Sequence, residues 1–586
     1  MSLLYRAKRC RGSRGNHDSM LLMQQKEPQP EALHPITELL LKNRGIEDPL
    51  AQVKFLNPDY ERDSYDPFLI LNMERAVDRI FQAIRGSERI VIYGDYDCDG
   101  IPGSVILHDL FEKIGVQKFS NYIPHRHHEG YGLNKEAIAK FAKEKVDLII
   151  TVDCGISDAQ EVEMAQSLGI DVIVTDHHLP PAVLPPAYAV INSKQAGDTY
   201  PDNMLCGAGV AFKLSQAILL RGKKEGKFGD IPPGWEKWLL DMAGLSTIAD
   251  MVPLQNENRM LAYYGLKVLR KSPRPGLQAL LKEANVDQRY LTEEDVGFTI
   301  GPRVNAASRM DVPLRAFELL STRDVSQANS LASHLAALNV ERKSEVARMV
   351  KEAKRLVEGR EMREVIVVGN SKWRVGVAGI VANQLAEAYD RPAFVWGKEG
   401  SQVIKGSCRS DGRVNVFELM VAVRDGVLID KGGHEFSGGF SIGDDAIHFL
   451  ESALIEAYAK VEKKEKSTAH TDIDSVLDIE DVNEDTFRAI DRLAPFGVGN
   501  PRPLFKFEKV TISKVEQFGK GREHMKLIFQ NNETGDAVTA MGFFMNPNSF
   551  KNADIQNGGK INLTATFEES HFRGRKELRL RIVDIK

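Results

Sequence analysis

Arg89-Ile90-Val91-Ile92-Tyr93-Gly94-Asp95-Tyr96-Asp97-Cys98-Asp99-Gly100 runs from an apolar segment straight into three carboxylates at alternate positions. Alternate residues of an extended chain share a side. Three like charges therefore crowd together, a costly arrangement beside a packed core unless a multivalent cation offsets it. An isolated Asp-x-Asp is ordinarily a solvated turn, but here two more clusters follow. Ile149-Ile150-Thr151-Val152-Asp153-Cys154-Gly155 ends a second apolar run in a carboxylate, and Val174-Thr175-Asp176-His177-His178 ends a third. An EF-hand loop fits the first stretch by letter. Counted from Asp95, however, its twelfth position is Ile106 rather than a bidentate Glu, and the stretch follows a strand-like run, not a helix.

Around these clusters, short apolar runs alternate with amphipathic segments. The runs are Ile90–Tyr93, Phe119–Ile123, Leu148–Val152, Val172–Thr175 and Tyr188–Ile191; helical patterns cover Ser104–Ile114, Asn134–Lys145 and Ser157–Leu168. The alternation predicts an α/β domain with a mainly parallel sheet. Residues 323–358 carry one long helical pattern, uninterrupted by Pro or Gly until Gly359, that suits a connection between two lobes. A second α/β pattern begins at Glu364–Val368, with strands over Pro392–Trp396 and Gln402–Lys405, and a polar linker-like segment covers Glu462–Thr468. Five short strands from Leu504 to Val583 predict a small OB-fold-like β-barrel.

The expected division is an N-terminal extension over 1–45, partly disordered; a catalytic domain over 46–322; a connecting helix over 323–359; a second lobe over 360–465; and a linker with the barrel over 466–586. The fold class is α/β: two α/β lobes joined by a long helix, plus the barrel.

At 586 residues the chain is too long for one core. Its 42% hydrophobic and 27% charged residues are ordinary for a globular protein, and the net charge of -5 confines any nucleic-acid surface to a local basic groove. The five cysteines, Cys10, Cys98, Cys154, Cys206 and Cys408, form no Cys-x-x-Cys and no paired framework, which points to a reducing, cytoplasmic setting. No apolar run reaches the roughly 18 residues of a membrane span. The basic N-terminus (Arg6, Lys8, Arg9, Arg11, Arg14) lacks the apolar core of a secretory signal, and Met20 or Met23 are alternative starts.

In open α/β sheets the working site lies at the carboxyl ends of the strands. Asp95, Asp97, Asp99, Asp153 and the Asp176–His178 triplet are expected to converge there; a fourth acid, Asp250, ends the segment Ala243–Ala249. A carboxylate-rich set with one or two imidazoles favours Mn²⁺ or Mg²⁺ over structural zinc. So many acids suggest two ions, an arrangement suited to in-line displacement at phosphorus.

In this order and spacing, with Ile123-Pro124-His125-Arg126, Glu129-Gly130-Tyr131-Gly132-Leu133 and Gly301-Pro302-Arg303-Val304-Asn305-Ala306-Ala307 between and after the clusters, the chain resembles the DHH phosphoesterases from about residue 33 to its end. Within them it is most similar to the exonucleases specific for single-stranded DNA. The resemblance implies that Asp95, Asp97, Asp99, Asp153, His177 and Asp250 hold the ions, with Asp95 in the first or second ring of contacts. It implies a catalytic set of His178 at the scissile phosphate, Asp176 orienting an imidazole, and Arg303 on phosphate. Arg126, Tyr131, Asn305 and Arg309 would contact the strand. So would Lys405, Arg409, Gly432, Gly433 and His434 of the second lobe, which looks like a DHH-associated domain.

The barrel adds Lys506, Lys509, Lys514, Lys520, Arg522, Arg573, Arg575, Lys576, Arg579 and Arg581, with Phe505, Phe507, Phe518 and Phe572 as expected stacking platforms. The implied activity is 5′-to-3′ hydrolysis of single strands to 5′-mononucleotides, by a monomer working beside single-strand-binding protein and a RecQ helicase in DNA repair and recombination, with no membrane partner.

Two rival functions exist. A DHH phosphodiesterase for short oligonucleotides or cyclic dinucleotides would normally be shorter and lack the barrel. A replication scaffold of the same fold would have lost acids from the clusters. The chain departs from the usual pattern at Pro102, Ser308, Arg374 and Cys408, none of them an implied ligand.

Overall fold

The computed structural model describes residues 33–399, 403–465, 472–519, 521–550, 553–572 and 575–586. Residues 1–32, with Cys10 and the basic N-terminal cluster, Gln402, part of the Glu462–Thr468 segment, Lys520 and Arg573 lie outside them, as do the side chains of Phe572 and Arg575.

The first lobe is built on a parallel sheet of β1 (Ile90–Gly94), β2 (Phe119–Tyr122), β3 (Leu148–Val152), β4 (Asp171–Thr175) and β5 (Ala189–Ile191), in the order β2-β1-β3-β4-β5. Every residue of β1 and β3 is buried, as expected of strands covered on both faces. Ile90 and Ile92 enter one core with the helix Gly100–Lys113, whereas Val91 and Tyr93 enter another with the helices Lys135–Lys143 and Ala159–Ser167. From β1 the chain winds to β2 on one side and later to β3 on the other. This reversal opens a crevice at the carboxyl ends of β1 and β3, where Asp95 and Asp153 sit.

The helices Leu240–Ala249 and Asn256–Leu269 cross at Gly244 and Gly265, where a Cβ on either would come within 2.5 Å of the other's Cα. That close approach seats Asp250, the residue capping the first of them, at the crevice.

The connecting helix, Val325–Glu358, has 34 residues and spans about 50 Å. Ala328, Leu331, Ala332 and Leu335 pack into the first lobe; Val346, Met349, Ala353 and Val357 pack into the second. The second lobe carries β6 (Ile366–Gly369), β7 (Ala393–Gly397), β8 (Ile404–Arg409), β9 (Leu428–His434) and β10 (Ser437–Ile442) in the order β6-β7-β8-β10-β9. Only β6 and β7 are parallel, so this sheet is mixed.

Among the described residues the barrel has seven strands rather than the expected five: β11 (Ser475–Val476), β12 (Phe505–Thr511), β13 (Lys514–Phe518), β14 (His524–Gln530), β15 (Ala537–Gly542), β16 (Lys560–Phe572) and β17 (Arg575–Ile585). The polar sequence of β13 hid it from a search for apolar runs, and β11 is two residues long.

Part of the expected N-terminal extension, before residue 45, is helical and packed. Pro35–Asn43 is a helix with Pro at its start and His34 as its cap. Its Leu40 and Leu41 are fully buried in the core of the C-terminal domain. Thr37 Oγ1 donates to the Ala489 carbonyl at 2.9 Å, and Arg44 Nε donates to Asn500 Oδ1 at 2.8 Å.

Candidate metal centre and nucleic-acid cleft

Asp97 Oδ1 accepts from the amides of Asp99 (2.7 Å) and Gly100 (3.1 Å) and so closes the turn into the helix Gly100–Lys113. Asp99 accepts from the amides of Gly207 (2.6 Å) and Ala208 (2.8 Å) at the start of the helix Gly207–Lys224. A helix N-terminus favours negative charge. Asp153 is buried with φ +64, a left-handed conformation that Asp and Asn tolerate better than most side chains. A Cβ at position 207 would come within 2.5 Å of the Asp153 Cβ, so glycine there lets the helix reach the carboxylate.

His177 Nε2 lies 3.2 Å from Asp153 Oδ1, 3.6 Å from Asp99 Oδ2 and 3.7 Å from Asp250 Oδ2. Three groupings result, one of which, Asp153 with His177 and His178, shares a residue with each of the other two. In the second, Asp99, His177 and Asp250 place ligand atoms within 4.8 Å of one another; in the third, Asp95, Asp97 and Asp153 do. Asp153 Oδ1 and Asp95 Oδ1 are buried with no hydrogen-bond partner. Such orphaned oxygens facing like charges are what a bound cation satisfies.

Electrostatics agrees. Burial and the Asp97 charge push Asp99 up to about 6. Burial with Asp99 and Asp97 pushes Asp250 up to about 9, and the same causes raise Asp153 well above the carboxylate range. Burial and neighbouring His178 push His177 down to about 3, leaving it neutral, the form that ligates a metal.

A raised carboxyl contributes stability below about pH 4 that is lost as the pH climbs through its folded value, about 6 for Asp99 and about 9 for Asp250. A divalent cation replaces the missing protons. The gap in Tm between Mn²⁺-loaded and chelated protein is therefore expected to widen between pH 6 and pH 9; a scanning-calorimetry gap that stays constant or narrows would contradict this assignment.

Asp176 is the organiser of His178. Its Oδ1 accepts from the amides of His177 (2.7 Å) and His178 (3.1 Å) and from His178 Nδ1 (2.8 Å), and its Oδ2 from the Ile156 amide (3.0 Å). Although burial opposes it, the Asp176 bond raises His178 to about 9, so the ring is cationic near neutrality. Tyr131 donates to the Asp153 carbonyl at 3.0 Å and stands 3.1 Å from His178 Nδ1.

Beside this centre is a cluster of arginines. The Arg126 guanidinium lies 4.8 Å over the Tyr96 ring. Arg309 donates to the Gly376 carbonyl at 3.0 Å across the lobes; burial and the nearby Arg126, Arg342 and Arg409 push it down to about 9, with Asp97 the acid opposing them. Arg409 lies against Gly379, where a Cβ would meet Nη2 at 3.0 Å. Lys405 Nζ donates to the His127 carbonyl at 3.4 Å. Gly433, φ +141, sits where a Cβ would run into Gly438 Cα at 2.5 Å, and nothing lies within 4 Å of the Gly432 position. His434, 2.8 Å from Ser437 Oγ, feels the charges of both Arg409 and His178, which places it on the cleft side. Asn305 Oδ1 is buried without a partner.

Arg303 is not brought to this cluster. It lies two residues before Asn305 on the helix Gly301–Met310, about 200° around its axis. It donates to the Thr299 carbonyl at 2.8 Å, and the carboxylate it feels is Glu283.

The barrel also departs from expectation. Phe505 and Phe507 are fully buried in its core, because alternate strand residues share a face. Lys506, Lys514, Lys576 and Arg579 pair with Glu508, Glu516, Glu569 and Glu568. Of the expected platforms Phe518 is half-buried, in a ring-to-ring cluster with half-buried His524 and Phe543 and exposed Phe544, and Arg579 and Arg581 lie within 6 Å of the Phe543 ring. Arg581 also bonds Glu294 of the first lobe at 2.9 Å, so this surface adjoins the catalytic lobe.

Two residues went unnoticed in the sequence. Lys194, just past β5, donates to the His177 carbonyl and faces Asp250 and Asp176; its position after a strand was the available signal. Arg342, midway along the connecting helix, had none.

No helix among the described residues is long and apolar enough to cross a membrane. Residues 89–242 match the family model described as DHH family, N-terminal domain; 363–464 match the DHHA1 domain; and 473–584 match the RecJ OB domain. The chain is 37% identical to the single-stranded-DNA-specific exonuclease RecJ of Bacillus subtilis over 94% of this chain and 68% of that one. It is 31% identical to the Haemophilus influenzae protein of the same name over 93% and 95%. The structure of RecJ in complex with Mn²⁺ from Thermus thermophilus superposes with a TM-score of 0.76 at 27% identity, covering 94% of this chain and 76% of that one.

Proposed function

Since the chain belongs to the RecJ family, 31% identical to a member of which it covers 95%, we propose that it is a metal-dependent exonuclease that degrades single-stranded DNA from the 5′ end and releases 5′-mononucleotides. The observation that carries this is the meeting of two carboxylate groupings at the sheet's switch point, with an arginine cluster beside them. A T. thermophilus RecJ has been solved with Mn²⁺ and with Mg²⁺. The donor set here fits either ion, with Asp99, His177 and Asp250 holding one and Asp95, Asp97 and Asp153 the other. Bound there, such ions supply a water of lowered pKa and neutralise phosphate charge.

The protein's own groups do the rest. His178, kept cationic by Asp176, stabilises charge building on the scissile phosphate. Arg126, Arg309 and Arg409 hold the terminal phosphate through their planar forks. Gly433 lets β9 lie close against β10 at Gly438, leaving the second lobe's edge free of side chains at 432 and 433 for the strand's approach. The barrel's aromatic surface, Phe518, Phe543 and Phe544 with Arg579 and Arg581, stacks unpaired bases ahead of the cut. The family likeness extends the proposal to a cytoplasmic monomer that works with single-strand-binding protein and a RecQ helicase in repair and recombination.

Digestion of a single strand labelled at either end, with and without Mn²⁺, tests this. A 5′ label should appear at once as mononucleotide, while a 3′ label stays in a shortening strand. Early release of the 3′ label, or metal-independent cleavage, would refute it.

A further inference from the structure

We propose that a groove along the connecting helix is the exit path for the reaction's product, a nucleoside 5′-monophosphate. The inference rests on the nuclease function proposed above and extends it to product release.

A cavity of about 200 Å³ beside the metal centre is lined by Ala249, Asn305, Arg309, Arg342 and Ile380, among others. A larger groove of about 650 Å³ begins at the same Arg342 and Ile380 and runs past Lys343, Lys351 and Lys354. The shared residues make the two neighbours, with Arg342 and Ile380 standing between them. No Asp or Glu lines either one, in a chain whose net charge is -5.

Helical phase explains the segregation. At about 100° per residue, Arg342, Lys343, Val346, Ala347, Val350, Lys351 and Lys354 fall within one half of the helix circumference. Glu341, Glu345 and Glu352 fall on the other half and are engaged there, while Glu358, on the lysines' half but a turn beyond Lys354 and outside the groove lining, accepts from Tyr389. Glu341 pairs with Arg374, Glu345 with Arg348, and Glu352 accepts from Trp373 Nε1 and Asn370. Lys343, Lys351 and Lys354 have no ion pair among the described residues, and Ala347 keeps the floor between them low. At the mouth, Asn305 Oδ1 is buried without a partner and Arg309 has arginines for its nearest charged neighbours.

Direction follows from the rest of the fold. The C-terminal domain seats on the first lobe, through Arg502 with Glu293, Arg581 with Glu294, and the Leu254 amide with the Val498 carbonyl. The groove starts at the arginine cluster and runs along the half of the helix that packs into the second lobe. A strand that reaches the metals from the barrel and ends with its 5′ phosphate on the arginines has no further residues to place in that groove. What leaves by it is the freed nucleotide, whose phosphate moves from Arg309 and Arg342 onto the lysines.

The test is the triple variant K343Q/K351Q/K354Q, with its melting temperature checked against the parent. Phosphorus NMR of dAMP in the presence of chelator reads the groove without the metal centre. Binding of dAMP is expected to weaken about five- to tenfold, and inhibition of strand cleavage by dAMP to weaken with it, while KM for a long oligonucleotide is unchanged. Unaltered dAMP binding would overturn the proposal. So would a fall in oligonucleotide affinity with a shallower salt dependence, because the groove would then hold the strand. Inorganic phosphate binding as tightly as dAMP would also overturn it, by showing a site with no preference for nucleotide. If the parent protein fails to cleave strands, the nuclease function and the exit role fall together, and the NMR result in chelator identifies that case separately.

Discussion

Asp153→Asn is expected to lower strand hydrolysis by at least about a thousandfold and to leave single-strand binding intact. Asn occupies the same volume and accepts the φ of +64 that Asp153 adopts. It retains the contact that Gly207 makes room for. What it loses is an ionisable oxygen 3.2 Å from His177 Nε2, on a carboxyl whose pKa is raised by burial and then by Asp99, Asp97, Asp95 and Asp250. Removing one member of a mutually repelling set relieves the metal-free protein, so the variant's Tm in chelator should equal or exceed that of the parent. Rapid-quench assays with Mn²⁺, paired with melts in chelator, separate a lost ligand from a lost fold. Cleavage within a few-fold of the parent would remove Asp153 from the metal centre.

Arg309→Met is expected to lower kcat/KM on a 5′-phosphorylated strand by about a hundredfold or more, in the range of losing a charged bidentate contact. The same substitution should not destabilise the protein. Burial works against the charge of Arg309, and the charges of Arg126, Arg342 and Arg409 add to it. A charge held in that way costs folding energy, and an apolar side chain of similar length relieves it. The signature is an activity loss with an unchanged or raised Tm, larger for 5′-phosphorylated than for 5′-hydroxyl strands. Equal losses on the two strands would place Arg309 in scaffolding rather than in phosphate recognition.

The chemistry of the centre was legible because it is written locally. Asp95, Asp153 and Asp176 each end an apolar strand run, and three such ends in one parallel sheet must share an edge. Asp250 caps a helix whose position depends on the Gly244–Gly265 crossing, so its place came from resemblance rather than from pattern. Arg303 was grouped with Asn305 and Arg309 because the three share a short stretch, but it stands apart from them. Helical phase puts 305 and 309 on one face and 303 on another. Phe505 and Phe507 were taken for platforms although their spacing of two, with Lys506 between, is the signature of a core-facing strand side. Tertiary partners were out of reach. Thr37 meets Ala489 across 452 positions, and nothing in Leu39-Leu40-Leu41 says which domain it packs on. Arg342 becomes a site residue only when the two lobes close around its helix.

The most direct test is anomalous scattering at the manganese edge from crystals soaked in Mn²⁺. Two peaks are expected, one among Asp99, His177 and Asp250 and one among Asp95, Asp97 and Asp153, with a marked loss of occupancy in Asp153→Asn. Peaks elsewhere on the molecule, or none in a protein that still cleaves strands, would contradict the account.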